Sequence, residues 1–571
     1  MSIINKRRKE ILIFFIFIAA FSTRIIYARQ VLEFPLTEYL IKSNTFDQHG
    51  FDRQAIAIAS GNWAGGGDVF GKEPLYSYFL ALIYRIFGYN HFASYMVQAF
   101  LTSIGVVLLY KISRRIFNSA AGYIAAFILA FYAISIYYDV LLLRESFITF
   151  VNILLFYLLI ESRRHNKGFF WFVSGIVLGF SVLLRHNMLL PFIVCFILFS
   201  VKDIGNAVRN ILIFIAGVFI VFLPIVVRNY IVSDHKMIGI STEVNAFWVG
   251  NTYNASGVDV VWSPEYHAMN NKSEGDIKKI ACLFFSEIKK RPKEYLKLYL
   301  RKIWMFFNAY EAPSNTNYYL YKEEFPTILR WPLFNFRVIC AFGITGFLLS
   351  LFMAEKPYLA YIFIIVLSGS VILFHIQSRF RLPAVPFFII FSSYSSYYLF
   401  DKIKKKDILK SLAITGLVIC LYIVLKPDLT YAGFRKEGEK IRAIDRTNLA
   451  MAYIDDYERN GRNESLRLAL NQCDLAIKEE RRSYIPYSIE GYIYMLENRF
   501  DSSIDEYKKA LIYESKNPFL YNEFAGVYYV QKSYKKSFVY IKRALKLFPE
   551  NKIFKKNLDI LPVEGCVYED K

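Results

Sequence analysis

The sequence predicts an all-α protein: a polytopic transmembrane helix bundle of about 11 spans, followed by a soluble α-helical repeat domain. Three observations predict it. The apolar residues of the 571-residue chain fall in long blocks. The basic residues between those blocks are strongly asymmetric, favouring every second connection. Residues 484–550 repeat with a period of 34.

Composition agrees. The chain is 55% hydrophobic and 18% aromatic, with 53 Phe and 43 Tyr, and only 20% charged. A disordered chain needs few aromatics and dense charge, so disorder is excluded. Apolar runs this long also argue against a soluble globule. The six cysteines (Cys195, Cys282, Cys340, Cys420, Cys473 and Cys566) include no CxxC pair, so neither a disulfide scaffold nor a zinc ribbon is indicated.

A spanning helix needs about 20 mostly apolar residues. Blocks of this kind run over 11–28, 92–111, 119–138, 146–161, 168–184, 187–201, 211–228, 333–353, 357–375, 382–400 and 408–425. The stretch 75–88 is apolar but too short to cross alone. The first block follows a basic segment without a small-residue cleavage site, so it reads as an anchor.

With the N-terminus in the cytoplasm, the cytoplasmic connections carry eighteen Lys and Arg, including Lys6 to Lys9, Lys111 to Arg115 and Lys402 to Lys410. The short outer loops carry four: Arg144, Arg185, Arg379 and Arg381. This is the positive-inside pattern. It explains much of the net charge of +21 without nucleic acid. Two long segments, 29–91 and 229–332, then lie outside. An odd number of spans puts the tail outside as well, and an error of one puts it inside.

The expected domains are 1–427 for the membrane part, 428–446 for a linker and 447–571 for the repeats. In the repeats, Tyr487, Gly491, Tyr494, Ser503, Tyr507 and Ala510 recur as Tyr521, Ala525, Tyr528, Ser537, Ile541 and Ala544. Large and small residues at these offsets let paired helices pack closely, as in the tetratricopeptide repeat. A degenerate earlier unit, about 447–480, keeps Ala469, Cys473 and Ala476 in register. Such a domain is either a plain appendage or a groove for a partner protein.

Charge near lipid is costly and is usually functional, so polar groups at the outer face are the candidates for chemistry. They are Asp47 and Asp52 in the first outer segment; Lys72 and Glu73 further along it; Asp139 with Arg144 and Glu145; Arg228, Asn229 and Asn251; and Arg379 with Arg381. Arg185 and His186 line the same mouth. Arg228 is expected to pair with Glu145 or Asp139 if it does not meet a ligand.

The order of these phrases resembles the GT-C glycosyltransferases, in particular bacterial relatives of the protein O-mannosyltransferases and of the lipid A aminoarabinose transferase. The resemblance rests on Asp47 followed by Phe51 and Ala55; on Lys72-Glu73-Pro74-Leu75, where Glu73 replaces a family proline; and on Val227-Arg228-Asn229-Tyr230, Gly250-Asn251 and Arg379-Phe380-Arg381-Leu382-Pro383. Glu311, in Tyr310-Glu311-Ala312-Pro313, also resembles a family phrase. The resemblance covers about residues 1–400. It implies an inverting transferase that moves a sugar from a polyprenyl-phosphate donor to a protein hydroxyl, glycolipid or polysaccharide outside the cytoplasm, in a bacterial inner membrane. A tetratricopeptide tail is a known attachment to such enzymes.

The residue chemistry suits that reaction. A carboxylate must take or orient the acceptor proton, and cations must neutralise the leaving phosphate. Asp47 is the expected base, with Asp52 as its rival and Glu145 as a third carboxylate. Lys72, Arg228, Arg379 and Arg381 are the phosphate candidates; two arginines at a spacing of two point differently on a helix. The plain alternatives are a solvated loop acid for Asp47 and interfacial snorkelling for the arginines. Glu145 equally suits a helix N-terminus.

A divalent metal is disfavoured: Glu73 with His267 or His49 is the set on offer, and no HxxxH or HExxH spacing exists. No P-loop or GxGxxG is present, and Gly65 to Gly67 follow no strand, so a nucleotide-sugar donor is disfavoured. The rival classes are a non-catalytic membrane scaffold built around the repeats, and a transporter. Transporters place charge near the bilayer midplane rather than at one face.

Overall fold

The computed structural model describes residues 2–64, 73–185, 204–233, 246–258, 263–426 and 440–562. Among them all regular structure is helical, apart from one isolated bridge between Tyr132 and Phe334. The chain forms two compact units: Met1–Leu32 with Ser43–Glu437, and Glu33–Lys42 with Gly438–Lys571.

In chain order the helices up to the second long segment are α1 (Ser2–Val31), α2 (Pro35–Lys42), α3 (Asp47–Ala59), α4 (Leu75–Phe87), α5 (His91–Ile116), α6 (Ser119–Ala130), α7 (Ala133–Asp139), α8 (Glu145–His165), α9 (Gly168–Leu184) and α10 (Ile204–Val232). Next come α11 (Ala246–Val249), α12 (Pro264–Ser273), α13 (Ile277–Lys290), α14 (Pro292–Phe307) and α15 (Tyr318–Glu324). The membrane unit closes with α16 (Phe336–Ser350), α17 (Tyr358–Leu373), α18 (Ser378–Arg381), α19 (Val385–Lys404) and α20 (Ile408–Val424).

Among the described residues, four stretches are long and apolar enough to cross a membrane: Glu10–Val31, His91–Ile116, Glu145–His165 and Val208–Val232. Shorter apolar helices are α4, α6, α9, α16, α17 and α20. The expected span 187–201 lies outside the described residues. Helix α19 is buried on every side over Val385–Ser393, packed against α16 and α6, so it forms the unit's centre.

The expected span 119–138 is not one helix. It breaks at Phe131–Tyr132 because the loop strand at Phe334 replaces the helical partners. Phe334 N donates to Phe131 O and Ala133 N donates to Phe334 O, both at 3.0 Å. The short helix α7 then turns Asp139 inward.

Close helix crossings use glycine, as they do where lipid offers no hydrophobic drive. A Cβ on Gly175 of α9 would lie 2.0 Å from Phe214 O of α10, and one on Gly217 would lie 2.3 Å from Phe172 O. In the long segment, α14 is amphipathic. Tyr295, Leu298, Lys302, Met305 and Phe306 are buried, whereas Leu296, Leu300 and Ile303 are exposed along the opposite face.

The second unit holds three helix hairpins: α21 (Ala443–Asn460) with α22 (Asn463–Glu479), α23 (Ile485–Leu496) with α24 (Phe500–Tyr513), and α25 (Pro518–Val530) with α26 (Tyr534–Leu547). Helix α27 (Lys552–Asp559) packs on the last. The 34-residue period appears as a repeated bond: Ser503 Oγ donates to Gly491 O at 2.6 Å, and Ser537 Oγ donates to Ala525 O at 2.9 Å. The first helix starts at Ala443, four residues before the expected boundary at 447. Its start is fixed by Asp445, whose carboxylate accepts from Arg442 N at 2.9 Å and pairs with the Arg442 side chain.

Candidate active site

Helix α3 opens at Asp47, with Phe46 as a cap that supplies no side-chain bond. A carboxylate in the first turn suits the unsatisfied N–H groups and the helix dipole. Asp47 Oδ2 also accepts from Arg379 Nη1 at 2.8 Å. Arg379, in α18, is steadied by Gln377 Oε1 at 2.9 Å from its Nε.

Two further pairs surround this one. Glu145, the first residue of α8, accepts from Arg185 Nη2 at 2.8 Å, and both side chains are buried. Arg144, one residue earlier, pairs with Glu73. The Phe380 ring joins the pairs, with the Arg185 guanidinium 4.5 Å from its centroid and that of Arg379 4.7 Å away. The Arg144 guanidinium stands 5.9 Å from the Phe51 centroid, on α3.

The charges form one electrostatic group: Arg144 feels Glu73, Glu145 and Asp47; Arg185 feels Glu145, Arg144, Arg379 and Glu73; Arg379 feels Asp47 and Glu145. Three guanidinium groups thus meet three carboxylates. Polar capacity remains inside the cluster, because Arg185 Nη1 and Glu145 Oε2 are buried without hydrogen-bond partners. Buried His375 lies edge-on to Phe380, and its Nδ1 also lacks a partner. Buried polar atoms of this kind are where a water or a ligand atom can bond.

Other expected site residues lie elsewhere. Asp52 is five residues after Asp47, about 140° round the helix. It faces the α4–α5 junction and accepts from Tyr84 Oη (2.5 Å) and Tyr89 Oη (2.9 Å), and it meets His91 Nε2 at 3.2 Å. Burial opposes its charge, but the His91 and Tyr84 contacts hold the carboxyl below its usual range. These contacts tie it to the fold of the loop.

Asp139 is committed to Arg24. Both side chains are 0% exposed, and Arg24 Nε donates to Asp139 Oδ2 at 2.5 Å. Thr102 Oγ1 donates to Asp139 Oδ1 at 2.8 Å, and Arg24 also donates to Ala20 O and Ala130 O. Arg381 is equally committed: it bonds Glu311 at 2.6 Å and the carbonyls of Phe306, Asn308 and Tyr310. Neither Asp139 and Arg24 nor Arg381 and Glu311 join the Asp47 cluster.

Arg228 does not meet Glu145 or Asp139, because Arg185 and Arg24 already occupy them. Instead it donates to Ala64 O and to Asn229 Oδ1. Asn251 is a buried latch. Its amide donates to Phe247 O and Leu373 O, and its Oδ1 accepts from Tyr299 and Lys302. Gly250 permits this approach, since a Cβ there would lie 2.1 Å from Phe374 O. Burial pushes the Lys302 ammonium down to about 7.

Lys72, His186 and the Gly65 to Gly67 run lie outside the described residues. Glu73 is held by Arg144, and no group of three His, Cys, Asp or Glu stands close enough to hold a metal among the described residues. Sequence reasoning placed Arg185 only as a mouth residue and missed His375. The available signal was a charge or imidazole at the very end of an apolar run.

Residues 71–229 match the dolichyl-phosphate-mannose-protein mannosyltransferase family. The match covers less than a third of the chain. The matched segment runs from Gly71 to Asn229, so it includes Glu73, Arg144, Glu145 and Arg185 of the charge cluster. No curated protein matches the chain in sequence.

Among solved structures, the chain is similar to the archaeal oligosaccharyltransferase AglB from Archaeoglobus fulgidus in complex with an inhibitory peptide and a dolichol-phosphate. Identity is 13%, coverage is 79% of this chain and 60% of that one, and the TM-score is 0.42. The apo form of the Archaeoglobus fulgidus oligosaccharyltransferase gives 13%, 82%, 60% and 0.44. This chain therefore spans about three fifths of those proteins' length. The APC/C hetero-tetramer Cut9-Hcn1 is similar at 11% identity, covering 92% of each chain, with a TM-score of 0.21.

Proposed function

We propose that this protein transfers a single sugar, hexose or pentose, from a polyprenyl-phosphate donor to an acceptor outside the cytoplasm, with inversion. The acceptor is a protein hydroxyl or a large glycan. The setting is a bacterial inner membrane, with about 11 spans and the N-terminus inside.

The observation that carries the reading is the Asp47–Arg379 pair, set in a charge-balanced cluster with unpartnered donor capacity at Arg185 Nη1. A donor phosphate brings negative charge into a neutral group. In this reading Arg379 and Arg185 take it, which frees Asp47 for the acceptor hydroxyl. The acceptor oxygen attacks the anomeric carbon as the carbon–oxygen bond to phosphate breaks. The phosphate leaves with the electron pair, and Asp47 takes or orients the acceptor proton. The family description, a dolichyl-phosphate-sugar transferase acting on protein, supports this donor class and a protein acceptor. The repeat unit is proposed to bind the acceptor chain or a partner protein.

The test is reconstitution with a panel of radiolabelled polyprenyl-phosphate sugars and secreted or membrane acceptors, comparing wild type with Asp47→Asn. Label transferred by wild type alone supports the reading. Equal labelling by both removes Asp47 from the chemistry. Absence of transfer with every donor favours the scaffold.

A further inference from the structure

Helix α2 belongs to the repeat unit, although the chain places it between α1 and α3 of the membrane unit. Its residues Leu36, Thr37, Leu40 and Ile41 are buried, and the helix packs on α21. At its exposed edge Glu38 pairs with Arg459 of α21 and with Lys42, the latter at 2.6 Å. The Arg459 bond is the main cause that holds the Glu38 carboxyl below its usual range.

A stack of helix hairpins leaves the outer face of its first helix without a neighbour, so terminal units need a cap. Helix α21 is that first helix, and α2 covers it. The cap is not local sequence: it is borrowed from a point some four hundred residues earlier, just before Asp47.

Chain connectivity then fixes a side. Helix α2 ends at Lys42 and α3 begins at Asp47. Crossing a bilayer takes about 20 apolar residues, which the stretch between them does not have. We infer that the repeat unit lies on the same membrane face as the loop that opens with Asp47, because α2, part of the repeat fold, is joined to that loop by a few residues of chain. The repeats are therefore not a detachable appendage. This settles a side that the sequence left open, and it fits an odd number of spans. The inference does not depend on the transfer reaction.

The experiment uses the full chain, with native cysteines other than buried Cys340 and Cys473 replaced by serine. Single cysteines at the exposed positions Asn62 (loop) and Asn463 (repeat unit) are probed in intact cells with a membrane-impermeant maleimide, before and after permeabilisation. A cytosolic reporter checks that cells are intact. The two positions are expected to label alike. A second variant, Glu38→Cys with Arg459→Cys, is oxidised and then cut at a protease site engineered between α20 and α21. The fragments are expected to stay joined until reduced. Opposite labelling of the two positions overturns the inference. So does free separation of the fragments when both cysteines are reactive on their own.

Discussion

Arg379 Nη1 donates to Asp47 Oδ2 at 2.8 Å across 332 residues of sequence. The contact joins the first turn of a loop helix to the lead-in of the unit's central helix. Either residue alone is unremarkable in sequence; together they form an ion pair between a loop carboxylate and a guanidinium.

Replacing Asp47 with Asn should lower transfer by roughly 10²–10⁴-fold, the range for a lost general base, while the protein still accumulates in membranes. Arg379→Ala should cost about 10²–10³-fold if the guanidinium stabilises the leaving phosphate. Because the two act on one another, the double variant should lose less than the product of the single losses. Steady-state rates with a defined donor and acceptor check this.

Asp52→Asn should behave differently. It weakens charge-assisted bonds to Tyr84, Tyr89 and His91, each worth about 1.5–3 kcal/mol. Thermal stability in detergent should fall, while the rate per folded molecule stays near wild type. A rate loss as deep as that of Asp47→Asn would put Asp52 in the chemistry.

Arg24→Met should destabilise by about 3–5 kcal/mol, since it strands the Asp139 carboxylate at a fully buried position. Pairing it with Asp139→Leu should recover much of the loss, because replacing both members of a buried pair is far cheaper than removing one. Melting temperatures of the three variants decide.

Lys302 gives a pH signature. Its folded pKa, about 7, lies below the ordinary 10.5 because burial disfavours the charge. Between those values the unfolded segment binds the extra proton, so folding stability rises with pH. The latch around Asn251 should therefore be firmest above about pH 10 and weaken as pH falls toward 7, with little further change below that. Protease nicking of the 246–258 loop across this range, for wild type and Lys302→Met, checks it. The slope should vanish in the variant.

Gly175→Val should also destabilise, by about 1–3 kcal/mol or more, since its Cβ would meet Phe214 O at 2.0 Å. An unchanged melting temperature would show that α9 and α10 do not cross this closely.

The helical class, most helix positions, the 34-residue period and the family resemblance were all legible in sequence, because each is written locally. Apolar length marks a buried helix, and a spacing of large and small residues marks a hairpin. The candidate site was half legible. A charge ending an apolar run, as at Arg144, Glu145, Arg185, Arg379 and Arg381, announces that it matters without naming its partner. That Arg379 turns to Asp47 while Arg381 turns to Glu311, and that Asp52 and Asp139 are spent on tyrosines, histidine and Arg24, was decided only in three dimensions. The break at Phe131–Tyr132 and the loan of α2 to the repeats were hidden for the same reason. A local pattern states what a segment must bury or pair, but the partner is chosen by energy shared between residues far apart in the chain.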